Sequence, residues 1–380
     1  MMKGRRLLVP WYRYPPFRKE GIGGLSVAVW ELTRELAQRG VIIDVLTPLG
    51  GANETNAIQA GVSVISSELG ERFLRNQPLR KEDGKFLDRY EAILSVANYA
   101  ARTLQSYNQG LGRITRQIHT IGQERGIDTY ISLKPSIGEY LKMFAARRRD
   151  RKLLQLLAGT KTICVSRCLR DRMQDSHLEY SKNLFTIPNG IQTGTFRPLD
   201  VEKKHDLLFI GRFQKSKGLD VLLHALRSIQ NTWGEAYRLG IVGEFTDEQR
   251  TFIVNSTPEA VREGIVFLGT VQRVDMPKII SSGNLVIVPS RYESFGLPAL
   301  EAMACGIPVL AAKVGGLPEI IDESVGALVE PDDDQALASA IYTSIRDASL
   351  AQRAAINGPA KARQYDWNVV APKILRILFP

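Results

Sequence analysis

Cysteine is scarce in this chain, with three among 380 residues, at Cys164, Cys168 and Cys305. That spacing offers neither a disulfide framework nor a metal-binding pattern, so the thiols are expected to be buried packing groups in a reducing compartment. Histidine is almost as rare: His119, His177, His205 and His224 are the whole set. No Ser-His-Asp or Cys-His constellation is visible, so no protein nucleophile is expected. Asp and His do not cluster at ligand spacing, and no metal or other cofactor is expected. Apolar runs stay well short of the ~20 residues of a membrane span. The segment MMKGRRLLVPWYRYPP has only Leu7-Leu8-Val9 as an apolar core before a proline. That is too short for a secretory signal and reads as a first strand. The turn Gly21-Ile22-Gly23-Gly24 is not a G-x-G-x-x-G fingerprint, which argues against a dinucleotide oxidoreductase.

What is present is ordinary for a folded chain: 44% hydrophobic and 24% charged residues. At 380 residues, two domains are expected. The net charge of +10 is unevenly spread. Residues 1–198 carry 31 Lys and Arg against 18 Asp and Glu, while residues 199–380 carry 19 against 22. A basic first half is expected to meet something acidic.

From Leu207 onward, short apolar strands alternate with amphipathic helices, the pattern of a doubly wound parallel sheet. Strands are expected at Leu207–Ile210, Leu239–Val242, Ile265–Leu268, Leu285–Val288, Pro308–Ala311 and Gly326–Val329. A helix is expected at Gly218–Ile229, with Leu219, Leu222, Leu223 and Leu226 on its apolar face. The first half repeats the theme less regularly, with strands at Leu7–Pro10, Val41–Leu46, Tyr130–Leu133, Thr162–Val165 and Leu184–Ile187. A helix through Leu25, Val29, Leu32 and Leu36 stops at Gly40. Residues 68–126 read as polar and helical. A final helix begins at Trp367 and carries an apolar stripe through Val370, Ile374 and Ile377.

The densest information lies in residues 289–319, PSRYESFGLPALEAMACGIPVLAAKVGGLPE. Ser294-Phe295-Gly296-Leu297-Pro298 opens a helix, and a helix start offers unpaired N–H groups and a positive dipole end to a phosphate. Pro298 suits the first turn, where its missing donor costs little. Glu301 falls about one turn in, within reach of hydroxyl groups on whatever carries the phosphate, and Glu293 precedes the turn. Acids that accept from sugar hydroxyls beside a pyrophosphate seat describe a nucleotide-sugar site. Gly23-Gly24, at the first helix start, lets backbone approach a ligand closely.

This stretch resembles the donor-site signature of the retaining glycosyltransferases of family 4. The resemblance rests on Glu293, seven residues and Glu301, with Phe295-Gly296-Leu297-Pro298, the run Glu301 to Gly306, and Gly315-Gly316 around them. Gly211-Arg212-Phe213, followed by Lys215, Lys217 and Gly218, is a second matching signature placed just after a strand. Ile187-Pro188-Asn189-Gly190-Ile191 resembles the family's turn into its interdomain linker.

The resemblance implies a GT-B fold, α/β, with two Rossmann-like domains facing each other across a cleft. The boundaries it suggests are residues 1–188 and 189–365, with the helix 366–380 crossing back onto the first domain. It implies that Arg212 and Lys217 bind the donor pyrophosphate, stabilising the leaving group by ~2–4 kcal/mol each. Ser294, Phe295, Gly296 and Leu297 would offer N–H groups to the diphosphate. Glu301 would take the ribose hydroxyls and Glu293 those of the transferred sugar. Val271 and Gly243 would stand near the base, and Gly23 and Gly24 on the opposite wall. The implied chemistry is same-face transfer from a nucleotide diphosphate sugar, a UDP-sugar, to a hydroxyl acceptor, the leaving phosphate taking the acceptor proton. The setting expected from the scarce cysteines is cytoplasmic, or, from the basic residues 147–152, peripheral at the inner membrane face.

The chain departs from the family in one place. Many members carry a first-domain histidine in a Thr-x-His segment near the transferred sugar, and none of the four histidines here has that context. Lys134 or Ser136 is the candidate replacement. Arg147-Arg148-Arg149-Asp150-Arg151-Lys152 is either a solvated helix face or a contact for anionic lipid or a phosphorylated acceptor. No aromatic interleaving accompanies it, so nucleic acid is not the expected partner. Two other readings stay open: a nucleotide-sugar-binding protein of the same fold without transferase activity, and a membrane- or nucleic-acid-binding module.

Overall fold

The computed structural model of the protein describes residues 3–11, 24–47, 61–75, 77–96, 104, 113–118, 160–176 and 183–380. The described residues fall into two compact units, one holding those up to 190 together with 367–380, the other holding 191–366.

In the first unit the strands are β1 (Arg6–Pro10), β2 (Ile42–Thr47), β3 (Val62–Ser66), β4 (Ala92–Val96), β5 (Ile114–Ile118), β6 (Lys161–Cys164) and β7 (Leu184–Thr186). They make a seven-stranded sheet in the order β3-β2-β1-β4-β5-β6-β7, every pair parallel. Leu7, Leu8 and Val9 of β1 and all of β4 are buried, as strands covered on both faces must be. The helix Gly24–Gln38 packs Val29, Leu32 and Leu36 on this sheet at helical spacing. The helix Trp367–Leu378 adds Trp367, Val370, Ala371, Ile374 and Leu378 to the same core. Polar contacts fix that docking. The Trp367 indole Nε1 donates to Glu31 Oε2 at 3.1 Å, and Arg39 Nη2 donates to Asn368 Oδ1 at 2.8 Å.

The stretch 68–126, expected to be helical, is of mixed structure among its described residues. Two helices, Glu68–Arg75 and Lys81–Leu87, do lie in it, but so do the strands β4 and β5. The apolar run of β4, AILSV, is set among polar residues that read as helical, and β5, ITRQI, is rich in polar residues. The strand β3 has no counterpart among the expected strands. The expected strand Tyr130–Leu133, Lys134, Ser136, the run 147–152, Gly23, His119 and His177 lie outside the described residues.

The second unit has β8 (His205–Ile210), β9 (Leu239–Val242), β10 (Ile265–Gly269), β11 (Gly283–Val288), β12 (Val309–Ala312) and β13 (Gly326–Val329). They form a six-stranded sheet in the order β10-β9-β8-β11-β12-β13, all parallel. The six expected strands are all found, β9 and β13 with the expected ends and the others shifted by a residue or two. From β8 the chain first builds outward to β9 and β10, then returns to place β11 on the other side of β8. That reversal makes a crevice at the carboxyl ends of β8 and β11, where open α/β sheets bind ligands.

Candidate functional site

Gly211 and Arg212 follow β8, Gly243 follows β9, Val271 follows β10, and the loop 289–296 follows β11. Because the sheet is parallel, these segments share one edge. After β8 the chain makes a short 3-10 turn, Lys215–Lys217, before the helix Leu219–Trp233. Gly218 ends that turn at φ +68°, and a Cβ there would lie 1.9 Å from the Pro289 carbonyl oxygen. Only glycine lets the two loops approach this closely. The helix therefore begins at Leu219, one residue after the expected start.

The approach brings Lys217 to Glu293. Lys217 Nζ donates to Glu293 Oε2 at 2.7 Å, and the carboxylate side chain is only 13% exposed. Glu293 is held from behind by the loop after β12. Its carbonyl oxygen accepts from the Gly316 N–H at 3.0 Å, and a Cβ on Gly315, at φ +55°, would sit 1.7 Å from that oxygen.

The loop after β11 then turns into the helix Leu297–Ala304, capped by Gly296 at φ +102°. No side chain caps the first N–H groups, and Pro298 stands in the first turn. Ser294 is half-buried, whereas Phe295 and Leu297 are buried, with Phe295 packed on Tyr365 at 5.8 Å between ring centroids. Glu301, one turn in, is 5% exposed and pairs with Arg273 Nη1. The Arg273 guanidinium lies 4.1 Å from the centroid of the Phe196 ring, a cation–π contact that fixes its plane. Beside Glu301, burial and the carboxylate's charge push the Cys305 thiol up to about 12, so it stays protonated as a packing group.

The remaining candidates are spread around this centre. Arg212 is exposed and makes no ion pair with a described residue. The stem of Lys217 runs over Gly211, its Cγ 3.6 Å from where a Gly211 Cβ would stand. Gly243 is half-buried and donates its N–H to the Gly269 carbonyl at 2.9 Å; Val271 is half-buried just beyond. Gly24 is the first residue of the helix Gly24–Gln38, in the other unit.

Sequence reasoning missed Arg273, Arg291, Asp220 and Phe196. A signal existed for Arg273, since an acid buried at a helix start needs a cation, and Arg273 lies two residues past Val271. Arg291 stood inside the quoted stretch 289–319 and Asp220 two residues past Gly218, without any spacing that linked them.

Residues 193–361 match the family model described as glycosyl transferases group 1, and residues 22–195 match that of glycosyltransferase family 4. A D-inositol 3-phosphate glycosyltransferase of Xylanimonas cellulosilytica is 34% identical over 93% of this chain and 91% of its own. For several other curated relatives the match spans 42–52% of their length. The sucrose-phosphate synthase of Thermosynechococcus elongatus superposes with a TM-score of 0.78 at 21% identity, over 98% of each chain. Anabaena HepE, solved in complex with UDP-glucose, gives 0.72 at 20% identity over 98% of this chain and 99% of its own. These likenesses identify the fold as GT-B, α/β, with two Rossmann-like domains.

Proposed function

The chain belongs to the glycosyltransferases of family 4, and from that premise we propose that it moves a hexosyl group from a UDP-sugar to a hydroxyl acceptor with retention of anomeric configuration. One observation carries the reading: a cation and an acid, Lys217 and Glu293, meet 2.7 Å apart where β8 and β11 reverse the sheet. A sugar diphosphate needs that combination, positive charge for the phosphates and an acceptor for the sugar hydroxyls.

In this reading Lys217 and Arg212 take the diphosphate together with the N–H groups at Ser294–Leu297. Glu293 accepts from hydroxyls of the transferred sugar, and Glu301, oriented by Arg273, accepts from the ribose. Gly243 and Val271 border the base. Gly23 and Gly24 belong to the acceptor side. The bond from the anomeric carbon to the diphosphate oxygen breaks, and the acceptor oxygen bonds to that carbon on the same face. The acceptor proton passes to the leaving phosphate oxygen. Charge developing on the diphosphate is met by fixed cations and helix dipole, so the reading assigns no step to a metal.

Uridine is favoured as the base because the HepE neighbour binds UDP-glucose. An anionic acceptor is favoured by the 31 Lys and Arg against 18 acids in residues 1–198, and the Xylanimonas relative is named for a phosphorylated acceptor. Action in the cytoplasm, or at the inner membrane face, belongs to the same reading. Among the described residues no helix is long and apolar enough to cross a membrane.

Thermal unfolding with UDP-, GDP- and ADP-glucose tests the donor class. A ligand at 100 times its Kd stabilises by ~2.7 kcal/mol. A response to UDP-glucose alone supports the reading, a response only to another nucleotide corrects the base, and no response removes the donor site. The anomeric proton coupling of the product then tests retention.

A further inference from the structure

Arg291 stands two residues before Glu293, and its contacts reach both sides of Lys217. Its guanidinium donates to the two Asp220 oxygens at 2.7 and 2.8 Å, and Nη1 also donates to the Lys215 carbonyl at 2.7 Å. Its own N–H donates to the Ser216 carbonyl at 2.8 Å. On the far side, Nε lies 2.5 Å from Asp332 Oδ1, in the turn after β13. Asp332 is the one described non-glycine residue with positive φ, at +61°. The Arg291 side chain is 16% exposed and that of Asp220 is 22% exposed, so the fork is largely shielded from solvent.

These contacts close a ring. The segment 215–220, which is the 3-10 turn and the start of the helix after it, and the loop 291–293 are joined at one end by Lys217–Glu293 and at the other by Arg291–Asp220. A lysine has a long, rotamer-rich stem, and its ammonium is placed only as well as its backbone is. Arg291 supplies what the ammonium lacks, a planar fork with fixed geometry.

We propose that Arg291 is a positioning residue for the donor site: it clasps the turn Lys215–Lys217 to the start of the next helix, at Asp220, so that Lys217 is preset at the height of the diphosphate. The inference rests on the donor-site reading above, but it has a consequence independent of any nucleotide. With the fork removed, the turn loosens while the helix Leu219–Trp233 keeps its buried face. Lysine at 291 keeps the charge and loses the bidentate geometry. Asp220→Asn weakens the same contact from the other side.

The test uses full-length protein carrying Arg291→Met, Arg291→Lys, Asp220→Asn or Lys217→Met, and the Arg291→Met/Lys217→Met pair. Amide hydrogen exchange at 216–218 in the ligand-free protein is the first readout, and UDP affinity by calorimetry the second. Arg291→Met is expected to speed exchange at those amides and not in β8 or β11, and to weaken UDP about tenfold. Arg291→Lys and Asp220→Asn fall between it and the unsubstituted protein, and serve if Arg291→Met does not fold. In the pair, Lys217→Met should cost little beyond Arg291→Met, because the ammonium has already lost its place. Unchanged exchange at 216–218, or full additivity of the pair, overturns the clasp. If the unsubstituted protein binds no UDP, the donor reading falls, while the exchange data still decide whether Arg291 holds the turn.

Discussion

Lys217 and Glu293, 76 residues apart in the chain, meet at 2.7 Å through an ion pair that is largely shielded from solvent. Each neutralises the other in the ligand-free protein, so replacing one changes what its partner can do. Glu293→Gln keeps a hydrogen-bond acceptor and removes the charge. Turnover is expected to fall about a hundredfold or more, the scale for losing one preorganised polar contact. UDP affinity should hold or rise, because Lys217 is released to the phosphates. Steady-state kinetics beside calorimetry would separate these effects, and full activity in the variant would remove Glu293 from its assigned role.

Lys217→Met is expected to weaken UDP binding and also to leave Glu293 without its cation. Combined with Glu293→Gln, the stability losses should fall short of their sum by ~0.5–3 kcal/mol, the range for residues in contact. Urea unfolding of the two single variants and the pair gives this number directly.

Arg273→Met leaves the Glu301 carboxylate, 5% exposed, without its paired charge. Removing one partner of a buried pair costs ~3–5 kcal/mol. Arg273→Met/Glu301→Leu should recover much of that stability without recovering UDP affinity. A pair no more stable than Arg273→Met would mean that the loss comes from the Phe196 contact instead.

Gly218→Ala and Gly315→Ala place a Cβ 1.9 and 1.7 Å from carbonyl oxygens at positive φ. Each should destabilise by more than ~2 kcal/mol. The loss would be read as a lower urea midpoint at unchanged slope.

His205, at the start of β8, is 6% exposed, and burial, then the nearby Arg238 charge, hold its pKa below the usual 6.5. The folded state therefore favours the neutral ring. Its contribution is complete above the unfolded value and is lost as pH falls from there through the depressed folded value. Stability is expected to decline as pH falls below about 6.5, and His205→Leu should flatten that part of the profile. Urea midpoints across the range decide it, and equal slopes in the two proteins would acquit the histidine.

The second unit was legible because its strands are short apolar runs separated by clear helical stripes, as in LGIV at β9 and LDVLLHALRSI after Gly218. The first unit was less so. The strand β4 lies beside β1 at the sheet's centre, yet its apolar run AILSV is set among polar, helix-forming residues and reads as part of them, and β5 reads as polar. The site was legible where the chain itself brings groups close, as along 293–301. Arg291 to Asp220 and Arg273 to Glu301 span 71 and 28 residues. Such pairings are made by sheet order, and no local spacing encodes them.

The helix Trp367–Leu378 follows the whole second unit in the chain, but its apolar face completes the core of the unit that contains β1. A polypeptide emerging from a ribosome therefore makes the beginning of that unit long before its closing piece. The segment from Ile191 to Asp366 has its own sheet and can fold in the interval. Until Trp367 arrives, the face around Val29 and Leu32 must stay wet or be sheltered by a chaperone. Synthesis thus completes the later-coded unit first, and any fragment stopping before Trp367 would leave the earlier one unfinished.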